Sequence, residues 1–115
     1  MKILIVDDEE LDLFINKKLL SLEFETEGFT TQKEALGWAH QNDFDVVIID
    51  YYLGPGVYAS NILKELITMK GPTFKAYVVS NFVDDKQALE LRTAGFTDII
   101  YKPLTLETFK QKVSS

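Results

Sequence analysis

Short apolar runs of strand length alternate along this chain with longer amphipathic stretches, and this alternation restricts the fold more than any other feature. The apolar runs include ILIV (3–6), DVVIID (45–50), FKAYVVS (74–80) and DIIY (98–101). The stretches between them carry apolar residues at helical spacing. Strands that alternate with helices form βα units, whose strands lie parallel in one sheet. Central strands that are apolar at successive positions indicate a sheet covered on both faces.

Weaker signals complete the count at five strands and five helices. The segment EFETEGF (23–29), with its alternating Glu, is typical of a short edge strand, and LETFKQKV (106–113) predicts a terminal helix. Thr31 and Glu34 form a capping-box pattern that starts a helix through Ala39. The predicted fold is therefore α/β, with a doubly wound five-stranded parallel sheet and helices on both faces.

The first amphipathic stretch is LDLFINKKLLSL, which follows the first apolar run. Its apolar residues Leu11, Phe14, Ile15, Leu19 and Leu22 recur at helical spacing. This stretch predicts the first helix of the chain.

Length and charge limit the possible functions. The 115 residues fit a single domain, residues 1–115. The net charge is −6 and no run of Lys or Arg occurs, so direct binding to nucleic acid or to an anionic membrane is not expected. There are no cysteines, which excludes disulfide and thiolate chemistry. No apolar run reaches the ~18 residues of a membrane span, and the cytoplasm is the expected location.

Polar residues follow the ends of several predicted strands. An open doubly wound sheet binds its ligands at the carboxyl ends of its strands, near the point where the strand order reverses. The residues that fall there are Asp7, Asp8, Asp50, Ser80, Asn81, Lys102 and Pro103.

The acids among these residues predict a metal site. Two carboxylates at about 4 Å repel by roughly 4 kcal/mol at an effective dielectric of 20, so they need either water or a cation. Carboxylate oxygens without His or Cys suit a hard cation, and Mg²⁺ is the expected one. The charges of Asp7, Asp8 and Asp50 would balance those of Lys102 and Mg²⁺. Such a pocket can neutralise an incoming phosphoryl group while one carboxylate attacks it.

Each of these residues also has an ordinary interpretation. A single Asp after a strand is usually a helix cap or a loop residue, Ser80 could simply belong to a turn, and Lys102 could be a solvated lysine. Their joint position at the ends of apolar strands favours a shared site over these separate explanations.

The pieces ILIVDDEE, VVIIDYYLG, VVSN and IIYKPL together resemble a bacterial two-component response-regulator receiver domain, over essentially the whole chain. The resemblance implies a flavodoxin-like fold with strand order 2-1-3-4-5. It also implies phosphorylation by a sensor histidine kinase or phosphotransfer protein, with an output partner that the sequence leaves open. A receiver of this kind is not a turnover enzyme, although it catalyses its own phosphotransfer and dephosphorylation.

The resemblance assigns roles residue by residue. Asp50 resembles the phosphoacceptor, while Asp7 and Asp8, together with the backbone carbonyl of Tyr52, resemble the Mg²⁺ ligands. Ser80 matches the switch hydroxyl that binds the phosphoryl group, and Lys102 matches the lysine that pairs with that group. The family's Lys-Pro junction predicts a cis peptide bond before Pro103.

The chain departs from the family pattern near this site. The loop after Asp50 contains Gly54-Pro55-Gly56, looks about one residue longer than usual, and has Ala59 where Gly is common. Asn81 occupies a position that is usually small, where it could narrow access or bond the phosphoryl group.

The switch positions also differ from the family pattern. Ile99 stands where the family often has the aromatic half of its switch. Strand alternation puts Tyr101 on the same side of the sheet. Tyr101 could replace that aromatic or simply pack on an edge strand. Tyr52 and Phe82 place aromatic rings beside the expected phosphoryl group, where they would tend to exclude water.

Other functions explain the sequence less well. A pseudo-receiver, which keeps the fold as a protein-interaction module with little phosphorylation, is favoured by Asn81 and Ile99 but opposed by the complete set of acids, hydroxyl and lysine. An aspartate-nucleophile phosphatase would carry a second Asp where Tyr52 stands. Flavin or nucleotide binding would need a Gly-rich loop after Val6, which this chain lacks.

Overall fold

The computed structural model describes residues 1–114 as five strands and five helices that alternate strictly. The strands are β1 (Lys2–Val6), β2 (Glu25–Phe29), β3 (Val46–Asp50), β4 (Lys75–Ser80) and β5 (Asp98–Tyr101). The helices are α1 (Glu10–Leu20), α2 (Gln32–Gln41), α3 (Ala59–Lys70), α4 (Asp85–Ala94) and α5 (Leu106–Ser114).

All neighbouring strands are parallel, and their order in the sheet is β2-β1-β3-β4-β5. This confirms the predicted strand order, including the placement of 25–29 at one edge. The strand order reverses at β1. The chain passes from β1 to β2 on one side of it, and then crosses to β3 on the other side. The carboxyl ends of β1, β3 and β4 therefore meet beside this switch point.

Two cores cover the sheet, one on each face. Alternate residues of β3 point to opposite faces, so Val47 and Ile49 join the core beneath α2, α3 and α4, while Val46 and Ile48 join the core beneath α1 and α5. Every residue of β3 is buried, as a strand covered on both sides requires. This double coverage holds the strand that carries Asp50 in a fixed position.

Local sequence signals mark the start of α2 and both ends of α4. The Thr31 hydroxyl accepts the Glu34 N–H at 3.2 Å, and the helix continues to Gln41, two residues past the predicted end. Asp84 and Gln87 form a reciprocal capping box at the start of α4. Gly95 ends α4 with a φ of 116°, in the left-handed region that favours glycine.

Helix α1 presents much of its apolar stripe to solvent. Leu11, Phe14 and Ile15 are exposed, as is Leu22 in the turn after the helix, and Leu20 is the one fully buried residue of the helix. The side of α1 that faces the sheet carries Leu13, Leu19 and Leu20 instead. The helical spacing is confirmed, but an apolar stripe usually faces the core, and here most of it does not.

Among residues 1–114, no helix combines the length and the apolar character needed to cross a membrane.

Candidate functional site

The candidate site lies at the carboxyl edge of the sheet, where four strands deliver polar side chains. Asp7 directly follows β1, Asp50 and Ser80 are the last residues of β3 and β4, and Lys102 directly follows β5. The register keeps these ends level, with Asp50 opposite Val79 and Ser80 opposite Tyr101. The predicted residues are therefore brought to one edge because parallel strands end on the same side.

Three carboxylates form a cluster at this edge. Asp7, Asp8 and Asp50 each offer an oxygen, and these oxygens lie within 4.8 Å of one another. Asp7 and Asp50 are buried, whereas Asp8 is exposed. Three converging carboxylate oxygens, with no nitrogen or sulfur ligand among them, form a donor set that fits Mg²⁺.

Lys102 pairs with the central carboxylate of this cluster. Its Nζ lies 3.3 Å from Asp50 Oδ1 and 3.5 Å from Oδ2. The Lys102–Pro103 peptide bond is cis, as predicted. The backbone N–H of Lys102 donates to the Ser80 carbonyl at 2.9 Å, which ties the lysine to the neighbouring strand.

Burial shifts the acidity of the two enclosed carboxylates. Desolvation raises the pKa of Asp7 to about 6, opposed by the Glu9 N–H that it accepts at 3.0 Å and reinforced by the charge of Asp50. Desolvation also raises the pKa of Asp50, and the positive charge of Lys102 limits that rise. Both shifts arise because charged carboxylates leave water for a partly closed site, and a bound cation would offset that loss.

The switch candidate Ser80 is engaged within its own loop. Its hydroxyl donates to the Phe82 carbonyl at 3.1 Å and accepts the Phe82 N–H at 3.3 Å. Its neighbour Asn81 is exposed and lines the cavity above the acids. Both residues line the same cavity as Asp50, and the sequence contains no signal that the serine hydroxyl would be held by backbone groups.

A cavity of about 500 Å³ opens above the carboxylates. Tyr52 and Phe82 line this cavity together with Asp8, Asp50 and Lys102. The two aromatic side chains are 50% and 72% exposed, so their rings border the entrance instead of filling the core.

The two candidate switch positions on β5 differ sharply in burial. Ile99 is 4% exposed and belongs to the core beneath α4, whereas Tyr101 is 50% exposed. A buried aliphatic side chain therefore occupies the position where the sequence pattern leads one to look for an aromatic. Tyr101 is the last residue of the edge strand β5, and its side chain is half exposed to solvent.

The loop between β3 and α3 forms an antiparallel hairpin, residues 51–59, which sequence reasoning missed. Tyr52 and Tyr58 form an isolated bridge across it. At its tip the Val57 N–H donates to the Gly54 carbonyl at 3.1 Å, and Gly54 and Gly56 both have positive φ. The Gly-Pro-Gly sequence is a turn signal, and its position between tyrosines could have indicated this hairpin.

The fold and the site together define a doubly wound α/β domain with a cluster of three carboxylates and a paired lysine at the carboxyl edge of its sheet. Residues 3–114 match the sequence profile of the response regulator receiver domain, and the chain belongs to that family. This result confirms the resemblance drawn from the strand-end motifs. No curated protein shows significant similarity to the chain.

Solved structures with the same fold come from several organisms. A receiver domain protein from Clostridium thermocellum is 26% identical, over 98% of this chain and 90% of that chain, with a TM-score of 0.86. A CheY-like receiver domain protein from Methanospirillum hungatei is 24% identical, with the same coverage and TM-score. A response regulator from Burkholderia pseudomallei, solved with a phosphorylated aspartic acid and a calcium ion, is 19% identical over 96% of this chain and 65% of that chain, with a TM-score of 0.86.

Proposed function

We propose that the chain is a phosphoacceptor domain of a two-component system, phosphorylated on Asp50 in a Mg²⁺-dependent reaction and relaying the signal by a conformational change. The phosphodonor would be a sensor histidine kinase or a phosphotransfer protein in the cytoplasm. The observation that carries the proposal is the pairing of Asp50 with Lys102 at 3.3 Å, inside a cluster of three converging carboxylates. Membership of the receiver family supports the same function.

The metal would be held by Asp7, Asp8 and Asp50, with the backbone carbonyl of Tyr52 as a further ligand. When bound, Mg²⁺ supplies positive charge that stabilises a transferring phosphoryl group. Burial raises the pKa values of Asp7 and Asp50 because it destabilises their charged forms. A bound cation would stabilise those charged forms, which accords with this role.

Phosphotransfer itself would use Asp50 as the nucleophile. A carboxylate oxygen of Asp50 attacks the phosphorus, the P–N bond to the donor imidazole breaks, and an acyl phosphate forms on Asp50. Lys102 remains within reach of the new phosphoryl oxygens and offsets their charge. The domain would catalyse only this transfer and the later hydrolysis of its own acyl phosphate, without turnover of an external substrate.

The relay would begin at Ser80. To donate to a phosphoryl oxygen, the Ser80 hydroxyl must release the Phe82 carbonyl that it now binds. Phe82 is followed by the buried Val83, just before α4 begins. A change at Ser80 would therefore be transmitted to the start of α4, where a partner could read it.

The second candidate is a pseudo-receiver that works as an interaction module with little phosphorylation. The burial of Ile99 favours it, because an aliphatic side chain packed in the core cannot swing between exposed and buried positions as an aromatic switch would. Tyr101, half exposed on the same strand, is the residue that would compensate for this substitution.

Labelling with acetyl phosphate would separate the two candidates. We expect Mg²⁺-dependent incorporation of one phosphoryl group, lost in Asp50→Asn and upon chelation of the metal. Asp45→Asn, at the opposite end of the same β3 region, is the matched control and should label normally. A wild-type protein that stays unlabelled by acetyl phosphate and by a panel of histidine kinases would favour the pseudo-receiver.

A further inference from the structure

The hairpin of residues 51–59 is tied together by hydrogen bonds that leave one carbonyl unused. Leu53 N–H donates to the Val57 carbonyl at 3.0 Å, and Ala59 N–H donates to the Tyr51 carbonyl at 3.1 Å. These bonds run between the neighbours of the bridged pair and not through the pair itself. In the part of the chain that the structure describes, the Tyr52 carbonyl therefore accepts none of the hydrogen bonds that join the two sides of the hairpin.

The unused carbonyl belongs to a residue that borders the acidic cluster. Tyr52 lies two residues after Asp50 and lines the same cavity as Asp8 and Asp50. A carbonyl oxygen is a hard ligand of the kind that completes a carboxylate site for a divalent cation. The hairpin thus holds a potential ligand at the edge of the site, outside its own hydrogen-bond ladder.

The ring of Tyr58 packs against two neighbouring tyrosines. Its centroid lies 5.7 Å from that of Tyr52 and 6.2 Å from that of Tyr51, with both pairs in edge-to-face orientation. Tyr51 is anchored in turn, because its N–H donates to the Val79 carbonyl of β4 at 2.9 Å and its ring packs on the core. Tyr58 therefore links the second strand of the hairpin to the sheet through Tyr51.

The tip of the hairpin depends on two glycines. Gly54 has a φ of 121° and Gly56 a φ of 75°, and a Cβ built on either residue meets nothing within 4 Å. A steric clash with a side chain does not explain the glycine at either position. The positive φ, which other residues rarely adopt, does explain it. The hairpin geometry is consequently sensitive to substitutions that create no clash.

We propose that Tyr58 is a positioning residue that fixes the Tyr52 carbonyl at the acidic cluster, and that the hairpin thereby makes the site prefer Mg²⁺ over Ca²⁺. This inference rests on the proposed function, since it concerns the same cation site. It assigns a task to a loop whose sequence departs from the family pattern.

The preference follows from the different demands of the two ions. Mg²⁺ requires nearly ideal octahedral ligands at about 2.1 Å, whereas Ca²⁺ accepts irregular geometry at about 2.4 Å. A rigidly held carbonyl therefore favours Mg²⁺, because Mg²⁺ tolerates little deviation from its preferred coordination geometry. A carbonyl on a loosened loop can still adjust to Ca²⁺, so loosening should weaken Mg²⁺ binding more than Ca²⁺ binding.

The test is to titrate isotope-labelled protein with MgCl₂ and, separately, with CaCl₂, and to follow the amide resonances. We expect Tyr58→Ala to weaken Mg²⁺ binding on the order of 10-fold, the usual size for loss of a residue that supports a ligand. Ca²⁺ binding should weaken by only about 3-fold or less, because of its tolerant geometry. Tyr58→Phe keeps the ring and should bind both ions as the wild type does.

The same spectra report whether the variant is folded, because unchanged resonances of the β3 and β4 core show that the sheet is intact. A merely structural role for Tyr58 would weaken the binding of both ions equally or broaden the core resonances. Equal losses for Mg²⁺ and Ca²⁺, or no loss in Tyr58→Ala, would overturn the inference. If wild-type protein and Asp8→Ala bind Mg²⁺ equally poorly, the metal site of the proposed function fails instead.

A pair of glycine variants gives a second, independent test. Gly56→Ala adds a methyl group that touches nothing but strains a positive φ, and it should reproduce the selective loss of Mg²⁺ affinity. Gly37→Ala also adds a methyl group without a neighbour, within α2, and should leave both affinities unchanged. An unaltered Mg²⁺ preference in Gly56→Ala would also count against the inference.

Discussion

Lys102 Nζ lies 3.3 Å from Asp50 Oδ1, although 52 residues separate the two in sequence. The side chains are 26% and 11% exposed, so the pair is shielded more than an ordinary surface ion pair. Its position links β5 to the centre of the acidic cluster on β3 and β1.

This pair leads to the first prediction. We expect Lys102→Met to slow the phosphorylation of Asp50 by acetyl phosphate about 100-fold, the usual loss when one preorganised charge or donor is removed from a phosphoryl or oxyanion site. Lys110→Met is the matched control, because Lys110 pairs with Glu23 at 2.9 Å far from the site. Equal labelling rates in the two variants would remove Lys102 from the proposed machinery.

Asp8 provides a direct test of the metal site. It is the exposed member of the carboxylate cluster, so replacing it should disturb the core least. We expect Asp8→Ala to weaken Mg²⁺ binding at least about 10-fold in a calorimetric titration. Glu10→Ala, in the first turn of α1, should bind as the wild type does, and unchanged binding in Asp8→Ala would refute the metal assignment.

The raised pKa of Asp7 predicts an unusual pH dependence of stability. In the folded protein the pKa is about 6, against an ordinary value of 3.8, so between these pH values the folded state binds more protons than the unfolded state. The free energy of unfolding should therefore fall as pH rises from about 4 to about 7 without metal. The contribution of Asp7 to this fall is on the order of 2 kcal/mol.

Urea unfolding in the presence of a chelator, followed by the fluorescence of Trp38, would measure this effect. Asn at position 7 cannot ionise. The stabilities of wild type and Asp7→Asn should therefore be closest at low pH, and the variant should become the more stable of the two as pH rises. Asp98→Asn provides a contrast, because the ammonium of Lys112 and other partners lower the pKa of Asp98 below its usual value despite some desolvation. A wild type and an Asp7→Asn variant with parallel pH profiles would contradict the prediction.

The aromatic rims of the cavity predict a long-lived phosphorylated state. Hydrolysis needs a water in line with the scissile bond, and Tyr52 and Phe82 border that approach without a carboxylate or amide to orient the water. We expect the double variant Tyr52→Asn with Phe82→Glu to lose phosphate ~10-fold faster, equivalent to about 1.4 kcal/mol of barrier.

The measurement is the decay of phosphorylated protein after the donor is removed, at constant Mg²⁺. Leu89→Glu adds the same charge at an exposed position of α4 and serves as the control. Identical decay in wild type and double variant would show that aromatic shielding does not set the lifetime.

Much of the site was predictable from sequence because it depends on where the strands end and on their order in the sheet. Once the alternation of apolar runs and amphipathic stretches indicates a parallel sheet, the ends of all strands must lie on one edge. Asp7, Asp50, Ser80 and Lys102 therefore share that edge, and the strand order that the family resemblance implies brings β1, β3, β4 and β5 side by side. The start of α2 was also predictable, because Thr31 and Glu34 form a capping signal within four residues of sequence.

Other features depend on contacts between distant parts of the chain, and only the tertiary structure decides them. The apolar spacing in α1 indicates a helix, but packing on the sheet decides that Leu20 is buried while Leu11 and Phe14 face solvent. The Gly-Pro-Gly signal marks the tip of the hairpin that bridges Tyr52 and Tyr58, but the attachment of that hairpin to the sheet uses the bond from the Tyr51 N–H to Val79 in another strand. Sequence determines which polar groups reach the edge of this sheet because parallel strands end together, whereas their orientation and burial follow from side-chain packing between distant parts of the chain, which no local pattern encodes.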